Sequence, residues 1–213
     1  MRRVFFSPFV AFVAVLIVLF VLFFFSTPQR SHSSRPHQVL AAQLSEDLDR
    51  VQLIDMRVRV LGYARERFGH GWGHRVRDGM VCTSRQHELR ELFGGSGCAP
   101  PPPEATAPDP YTGEAIRADA VDIDHLVPLA AAWDLGAWSW DQRTRMEFAN
   151  DMDRNLIVTS SAVNREKSDA TLSEWLPTYD VCAYSTAFVR VVADYHLMLP
   201  RADMEAARTS CGM

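Results

Sequence analysis

The sequence lacks an excess of basic residues. Its 213 residues include 22 Lys and Arg against 26 Asp and Glu, which gives a formal net charge of −4. This composition argues against a general nucleic-acid binder, because non-specific affinity comes mostly from Lys and Arg side chains that neutralise phosphates. It does not exclude an enzyme that acts on nucleic acid, since acidic metal ligands would lower the net charge of such a protein.

Two zinc signatures are also absent. No pair of cysteines has the C-x-x-C spacing of a zinc knuckle, and there is no H-E-x-x-H motif, so a structural zinc site and a zinc peptidase are both disfavoured. No internal repeat is visible. Because 47% of the residues are hydrophobic, the chain can bury a core, and we expect one domain after an N-terminal segment.

Polar residues are missing from most of that N-terminal segment. Two arginines near the start precede an apolar run in which Phe9 to Phe25 contains no polar residue. The run is long enough to span a membrane, and no small-x-small cleavage site follows it. We therefore favour an uncleaved signal anchor at residues 1–25 over a cleaved signal peptide. Either would make the rest of the chain extracytoplasmic, as an anchored or a secreted protein.

The remaining chain divides into a linker and one domain. Residues 26–37 have the Ser, Pro, Arg and His composition of a solvated linker, and residues 38–213 would form the domain. Four consecutive prolines predict an extended surface loop over residues 98–110. Apolar spacing predicts four helical segments: one near Leu40–Val51, one after Pro128, one over Ala183–Leu197 and one over Arg201–Arg208. A further helix would begin near Asp141.

Four cysteines, an even number, would lie on the outer side of a membrane, where disulfides are the default. They are Cys82, Cys98, Cys182 and Cys211. Three pairings are possible, and the sequence does not decide among them. We favour Cys82–Cys98 and Cys182–Cys211, since each would fasten a loop or a terminus to its neighbour.

Charge is distributed unevenly along the domain. Residues 104–124 hold six acids against one arginine, whereas residues 55–92 hold eight arginines against five acids. This asymmetry indicates one edge that faces a metal ion and another that faces phosphate. Ordinary solvated charge on helices would explain any one of these arginines equally well.

A first short strand ends in two polar residues. Val121 and Ile123 alternate with Asp122 and Asp124, which is the period of a strand, so His125 would lie at the strand end. Asp122 and Asp124 would then share a face.

A second strand and a helix follow later in the chain. Leu156–Thr159 is a short apolar, β-branched run, and Ser160 or Ser161 would cap the next helix. On that helix Asn164 and Lys167 lie three residues apart and share a face. Together with the first strand, these elements predict a ββα arrangement.

The ββα arrangement would hold one hard metal ion between Asp124 and Asn164. With one anionic and one neutral oxygen from the protein, water and a substrate phosphate must complete the shell, which suits Mg²⁺ or Mn²⁺. Asp122 would be an additional ligand or would orient one. His125 would be the general base, because an ordinary imidazole pKa of about 6.5 leaves it neutral. The structural alternatives are a hydrogen-bonded core histidine and cap or turn hydrogen bonds for the acids and the amide.

Basic residues near the helix could contact phosphate. Lys167, on the face of Asn164, would reach a non-bridging phosphate oxygen, unless it is an ordinary solvated lysine. Arg165 and Arg154 are weaker candidates for the same role.

These residues resemble the HNH, or ββα-metal, endonucleases. Within that group they resemble secreted HNH proteins related to the C-terminal nuclease domain of the GmrSD modification-dependent restriction enzymes. Asp124-His125 matches the first motif, Asn155 the middle asparagine and Asn164 the final position, where it replaces a histidine. Nine residues separate Asn155 from Asn164 and three more reach Lys167.

The resemblance extends from about Gly62 to Cys211 through stretches outside this core. They are Gly62–Gly69 with Trp72, Cys82–Arg85, Asp109–Gly113, Phe148–Asp151 and Trp175–Pro177. Thr83 departs from the pattern, because an acidic residue is expected after the cysteine.

The resemblance implies an α+β fold, mostly helical, around a ββα-metal core at about residues 120–168. It implies a metal-dependent endonuclease that hydrolyses DNA, with RNA as the other candidate substrate. Asn155 would tie the loop to the strands and help to orient His125. A catalytically silent module that binds nucleic acid or an envelope partner is the main alternative, and a hydrolase acting on another envelope polymer is a third.

Overall fold

The computed structural model describes residues 34–213, so the predicted anchor at residues 1–25 lies outside the described residues. This part of the chain has the predicted α+β architecture. Its α-helices are α1 (Ser34–Leu48), α2 (Ser84–Phe93), α3 (Leu129–Asp134), α4 (Gln142–Phe148), α5 (Ser161–Lys167), α6 (Val181–Asp194) and α7 (Arg201–Ser210). None of the helices in residues 34–213 has the length and apolar character needed to cross a membrane.

The strands are short and pair two by two. They are β1 (Gln52–Ile54), β2 (His74–Arg77), β3 (Met80–Thr83), β4 (Thr106–Pro108), β5 (Ala115–Arg117), β6 (Val121–His125), β7 (Leu156–Ser160) and β8 (Met198–Pro200). β1 pairs with β8 in parallel, whereas β2–β3, β4–β5 and β6–β7 are antiparallel. The prediction of loop throughout residues 98–110 was therefore wrong at β4, because Pro108 can end an edge strand that pairs with β5.

The β6–β7–α5 unit follows the predicted order of elements. The two strands pair with Ile123 opposite Val158, and both side chains are buried in a small apolar cluster with Leu89 of α2. The alternation that buries Ile123 turns the aspartates of β6 to the other face. Ser160 caps α5, since its hydroxyl accepts a hydrogen bond from the Val163 N–H at 3.2 Å.

A larger apolar core surrounds α6. Phe188 and Val192 of this helix are fully buried, together with Leu135 and Leu199 from the chain on either side. The structure contains the favoured disulfide pairing, Cys82–Cys98 and Cys182–Cys211. The second disulfide joins the start of α6 to the end of α7, and the first joins β3 to the proline-rich loop.

Candidate functional site

The ends of β6 and α5 open into a cleft of about 370 Å³, called here the central cleft. Its polar lining residues are Tyr63, Arg65, Trp72, Arg85, Asp122, Asp124, His125, Asn164, Ser168 and Asp169. The structure therefore brings together four residues that the sequence singled out, namely the two aspartates of β6, His125 and Asn164.

His125 is buried, and one of its ring nitrogens is already engaged. Nε2 lies 3.0 Å from the carbonyl oxygen of Ala149, and the ring of Trp72 stacks on the imidazole with centroids 5.7 Å apart. Because a carbonyl oxygen can only accept, Nε2 carries the proton, and Nδ1 of the neutral ring has a free lone pair. The contacts of the imidazole thus fix its tautomer as well as its orientation.

The pKa of His125 is lowered to about 3, mainly by burial and to a smaller extent by the positive charges of Arg65 and Lys167, while the hydrogen bond to Ala149 opposes the shift. The imidazole is therefore neutral at physiological pH. The free lone pair at Nδ1 is the geometric feature that a general base requires, whereas the lowered pKa weakens the ring as a base.

Asp124 is buried and uses a single oxygen for its contacts with the protein. Tyr111 donates its hydroxyl to Oδ2 at 2.6 Å, and the Lys167 ammonium lies 2.8 Å from the same oxygen. Within residues 34–213, no hydrogen bond falls on Oδ1. Two neighbours therefore hold the carboxylate in place and leave one oxygen for a ligand.

Lys167 does not have the position that a phosphate contact requires. Its side chain is fully buried, and besides pairing with Asp124 its ammonium donates to the backbone oxygen of His125 at 2.9 Å. Burial lowers the pKa of this lysine, and the charge of Asp124 opposes that shift. The spacing on α5 correctly placed Lys167 beside Asn164, but the residue points into the fold and supports β6.

Asp122 and Asn164 form the second contact between β6 and α5. The amide nitrogen of Asn164 donates to Oδ2 of Asp122 at 3.3 Å, so the amide oxygen is turned away from this carboxylate. No three His, Cys, Asp or Glu side chains among the described residues come together as a ligand set. The metal ligands predicted from the sequence bring two carboxylates and one amide to the central cleft, which Tyr63, Ser168 and Asp169 also line.

Asn155 is fully buried and does not line the central cleft. Its side-chain oxygen accepts from the Val127 N–H at 2.9 Å, and its amide donates to the Phe148 carbonyl at 3.3 Å. The Asn155 carbonyl accepts from the N–H of Leu126 at 2.9 Å. These bonds join the start of β7 to the chain that follows β6 and to the end of α4, which carries the carbonyl bound by the imidazole.

The two arginines predicted to contact phosphate are not brought to the central cleft. Arg154 pairs with Asp151 at 3.1 Å and Asp194 at 3.2 Å. Arg165 is exposed on α5 and is not among the residues that line the cleft.

Several residues of the site were not assigned a role from the sequence. Tyr111, Trp72, Arg65 and Arg85 all lie in stretches that carry the resemblance, and the two arginines also lie in the basic stretch of residues 55–92. The stretch Phe148–Asp151 has a structural role through Asn150. The side-chain oxygen of Asn150 accepts hydrogen bonds from the Gly73 N–H and the Ser84 hydroxyl, both at 2.7 Å.

The open end of the ββα unit thus carries a buried imidazole with a free nitrogen and unengaged carboxylate and amide oxygens. The chain belongs to the family described as GmrSD restriction endonucleases, C-terminal domain, which residues 102–198 match. A relative from Arthroderma benhamiae, named only as an uncharacterized secreted protein, is 34% identical over 156 residues, covering 68% of this chain and 72% of the relative. No solved structure matches the chain.

The matched range contains β6, β7 and α5 with the residues of the ββα unit. Membership of this family indicates a nuclease-type function for the domain. Arg65, Trp72 and Arg85, which also line the central cleft, come from the chain before the matched range.

Proposed function

We propose that the protein is an extracytoplasmic, metal-dependent endonuclease of the HNH type that hydrolyses phosphodiester bonds in DNA or RNA. The observation that carries this proposal is the fixed tautomer of His125. The imidazole offers Nδ1 as a proton acceptor beside the free oxygen of Asp124.

A hard divalent cation fits the oxygens of the central cleft. Asp124, through Oδ1, and Asn164, through its amide oxygen, would hold Mg²⁺ or Mn²⁺, and Asp122 would bind it directly or orient Asn164. Tyr111 and Lys167 leave that oxygen of Asp124 unengaged, as a ligand set requires. When bound, the cation would stabilise negative charge on the phosphate and on the leaving oxygen.

The residues of the chain supply the proton transfer. His125 accepts the proton of the attacking water at Nδ1, and the Ala149 carbonyl at Nε2 stabilises the imidazolium that results. Trp72 keeps the ring in one plane. Lys167 and Tyr111 act as positioning residues, since both hold Asp124 and neither faces the substrate.

An extracytoplasmic location is supported by two features. The relative from Arthroderma benhamiae is named a secreted protein, and two disulfides join all four cysteines of the chain. We propose that residues 1–25 direct the domain across the membrane, either as an anchor or as a segment that is cleaved.

The test is an assay of plasmid DNA and of RNA with the full chain, its disulfides formed, in Mg²⁺ or Mn²⁺. We expect nicking that EDTA abolishes and that His125→Ala slows by about a hundred- to ten-thousand-fold, the range for loss of a general base. His74→Ala, which removes an exposed histidine, is the matched control. If folded protein cleaves neither substrate with any divalent metal, the binding module becomes the better interpretation.

A further inference from the structure

Most arginines of the basic stretch, residues 55–92, are engaged within the fold. Arg57 and Arg59 pair with Asp169, Arg77 with Glu91, Arg90 with Asp78, and Arg67 lies over the ring of Trp133. Arg65 and Arg85 are different. Neither has an ion pair or a side-chain hydrogen bond with any residue in 34–213, and both line the central cleft.

Arg85 occupies a position at which no carboxylate of residues 34–213 pairs with its guanidinium. It is half-buried and is the second residue of α2, where the helix dipole disfavours a cation. Its neighbour Ser84 is fixed by a hydrogen bond to Asn150, and Thr83 caps the helix together with Gln86. A well-positioned guanidinium without a carboxylate is typical of a site for an anionic ligand.

Arg65 lines the central cleft together with His125. It opens a short 3₁₀ turn, Arg65–Phe68, that the buried ring of Phe68 anchors to the core. Its guanidinium is exposed to solvent, and its positive charge is felt at His125. A phosphate placed beside the imidazole would therefore be within the influence of this arginine.

Arg85 also borders a second cavity, of about 780 Å³, called here the proline-walled groove. Pro100–Pro103 form one wall and Leu89 contributes to the other, while Asp119 at its edge is paired with Arg117. Gln86 donates to the Cys98 carbonyl at 2.9 Å and so ties the wall to α2. Arg85 lines both cavities, so the groove adjoins the central cleft at this residue.

We propose that Arg65 and Arg85 bind two backbone phosphates of the substrate strand, and that the strand continues past Arg85 into the proline-walled groove. The proposal rests on the nuclease function proposed above. The proline wall of the groove is apolar and would pack against the base and sugar of a flanking nucleotide, while the Arg85 guanidinium binds the phosphate of that nucleotide. These two arginines thus take the role that the sequence had suggested for Lys167, Arg154 and Arg165.

The test compares a DNA oligonucleotide with bis(p-nitrophenyl) phosphate, a minimal substrate that is too small to reach the groove. For Arg85→Ala we expect KM for the oligonucleotide to rise about tenfold, and the slope of log KM against log salt to fall by about 0.7 to 0.9, as for one lost phosphate contact. The rise in KM should be smaller for the minimal substrate, which has one phosphate and does not extend into the groove. Arg65→Ala should slow both substrates, because it lies beside His125.

The matched control is Arg143→Ala, which removes the same charge from a side chain that is 86% exposed, pairs with Glu147 and lines neither cavity. If Arg85→Ala and Arg143→Ala have the same KM and the same salt slope, the inference is overturned. A folded wild-type protein that hydrolyses neither substrate would instead refute the nuclease function, and this inference with it. Arg85→Lys should recover part of the salt slope, since it restores the charge without the planar guanidinium.

Discussion

At the scale of single residues, two buried tyrosines are packed alike but differ in hydrogen bonding. The rings of Tyr111 and Tyr184 lie 5.4 Å apart, and burial is the main cause that raises the pKa of each, so both are neutral. Tyr111 donates to the Asp124 carboxylate, whereas the Tyr184 hydroxyl has no partner within residues 34–213.

We expect Tyr111→Phe to lower the free energy of unfolding by about 1.5 to 3 kcal/mol, the usual range for a hydrogen bond to a charged group. Tyr184→Phe should be neutral or slightly stabilising, because it removes an unsatisfied buried hydroxyl. Urea unfolding of the two variants measures the difference. Equal losses would mean that the contact with Asp124 contributes nothing to stability.

Glu88 makes stability depend on pH. Its carboxyl is buried in α2, and burial followed by repulsion from Glu91 raises its pKa from 4.5 to about 7, although Arg77 opposes the shift. Between these two values the folded protein binds a proton that the unfolded chain does not bind. Stability therefore falls as the pH rises through this window.

Glu88→Gln should remove that dependence. We expect little gain in the free energy of unfolding at about pH 4.5 and a gain of about 1 to 3 kcal/mol at about pH 8, since one pKa unit corresponds to about 1.4 kcal/mol. Urea unfolding across this range gives the slope directly. Glu205→Gln, at an exposed position of α7, is the control, and a gain that is the same at both ends would contradict the assigned pKa.

The residues of the site differ in how far local sequence could predict them. Asp124, His125 and Asn164 follow from the period of a strand and the spacing on a helix, so the sequence places them together. Lys167 shares that spacing. Its burial, however, depends on the ion pair with Asp124 between α5 and β6, which helical spacing does not predict. The Ala149 carbonyl and Trp72 meet His125 from distant parts of the chain, and no local pattern encodes that contact.

At the scale of elements, the same distinction holds. The predicted order of β6, β7 and α5 is observed because alternation and an N-cap are local signals. The β2–β3 hairpin and the pairing of β1 with β8 were not predicted. The β1–β8 pairing joins Gln52–Ile54 to Met198–Pro200 in parallel. These segments are far apart in the sequence, so no local pattern predicts that they pair.

The N-cap of α5 should affect function as well as stability, because α5 carries Asn164. We expect Ser160→Ala to cost about 1 kcal/mol, the usual value for losing such a cap, and to weaken Mn²⁺ binding as the helix start frays. Asp141→Ala removes the cap of α4, which accepts from the Thr144 N–H at 2.8 Å, and should cost as much without changing Mn²⁺ affinity. Calorimetric titration of both variants distinguishes the two; equal Mn²⁺ affinities would place the metal away from α5.

At the scale of the whole molecule, the central cleft is assembled from two parts of the chain. The range that matches the family supplies the aspartates, the imidazole and Asn164. The segment before it supplies Arg65, Trp72 and Arg85, and Asn150 joins the parts by binding Gly73 and Ser84. Of the residues from the earlier segment, Arg85 is the one whose proposed role concerns the strand alone, so its effect can be measured separately from the chemistry.

Removing each disulfide in turn would test whether strand binding depends on one part of the fold. The two disulfides close loops with sequence separations of 16 and 29 residues. Chain entropy assigns each about 3 to 4 kcal/mol, so stability alone does not distinguish them. Their positions do, since Cys82–Cys98 fixes the chain that enters the proline-walled groove, whereas Cys182–Cys211 lies in the core around α6.

Replacing either pair of cysteines by alanine should lower the unfolding temperature by a similar amount. Only loss of Cys82–Cys98 should also raise KM for a DNA oligonucleotide, because the proline wall beside Arg85 is then tied to α2 by the Gln86 hydrogen bond without the covalent link. Thermal unfolding and steady-state kinetics on both double variants, measured well below their unfolding temperatures, give the comparison. An equal rise in KM for the Cys182–Cys211 variant would show that the groove has no separate part in holding the strand.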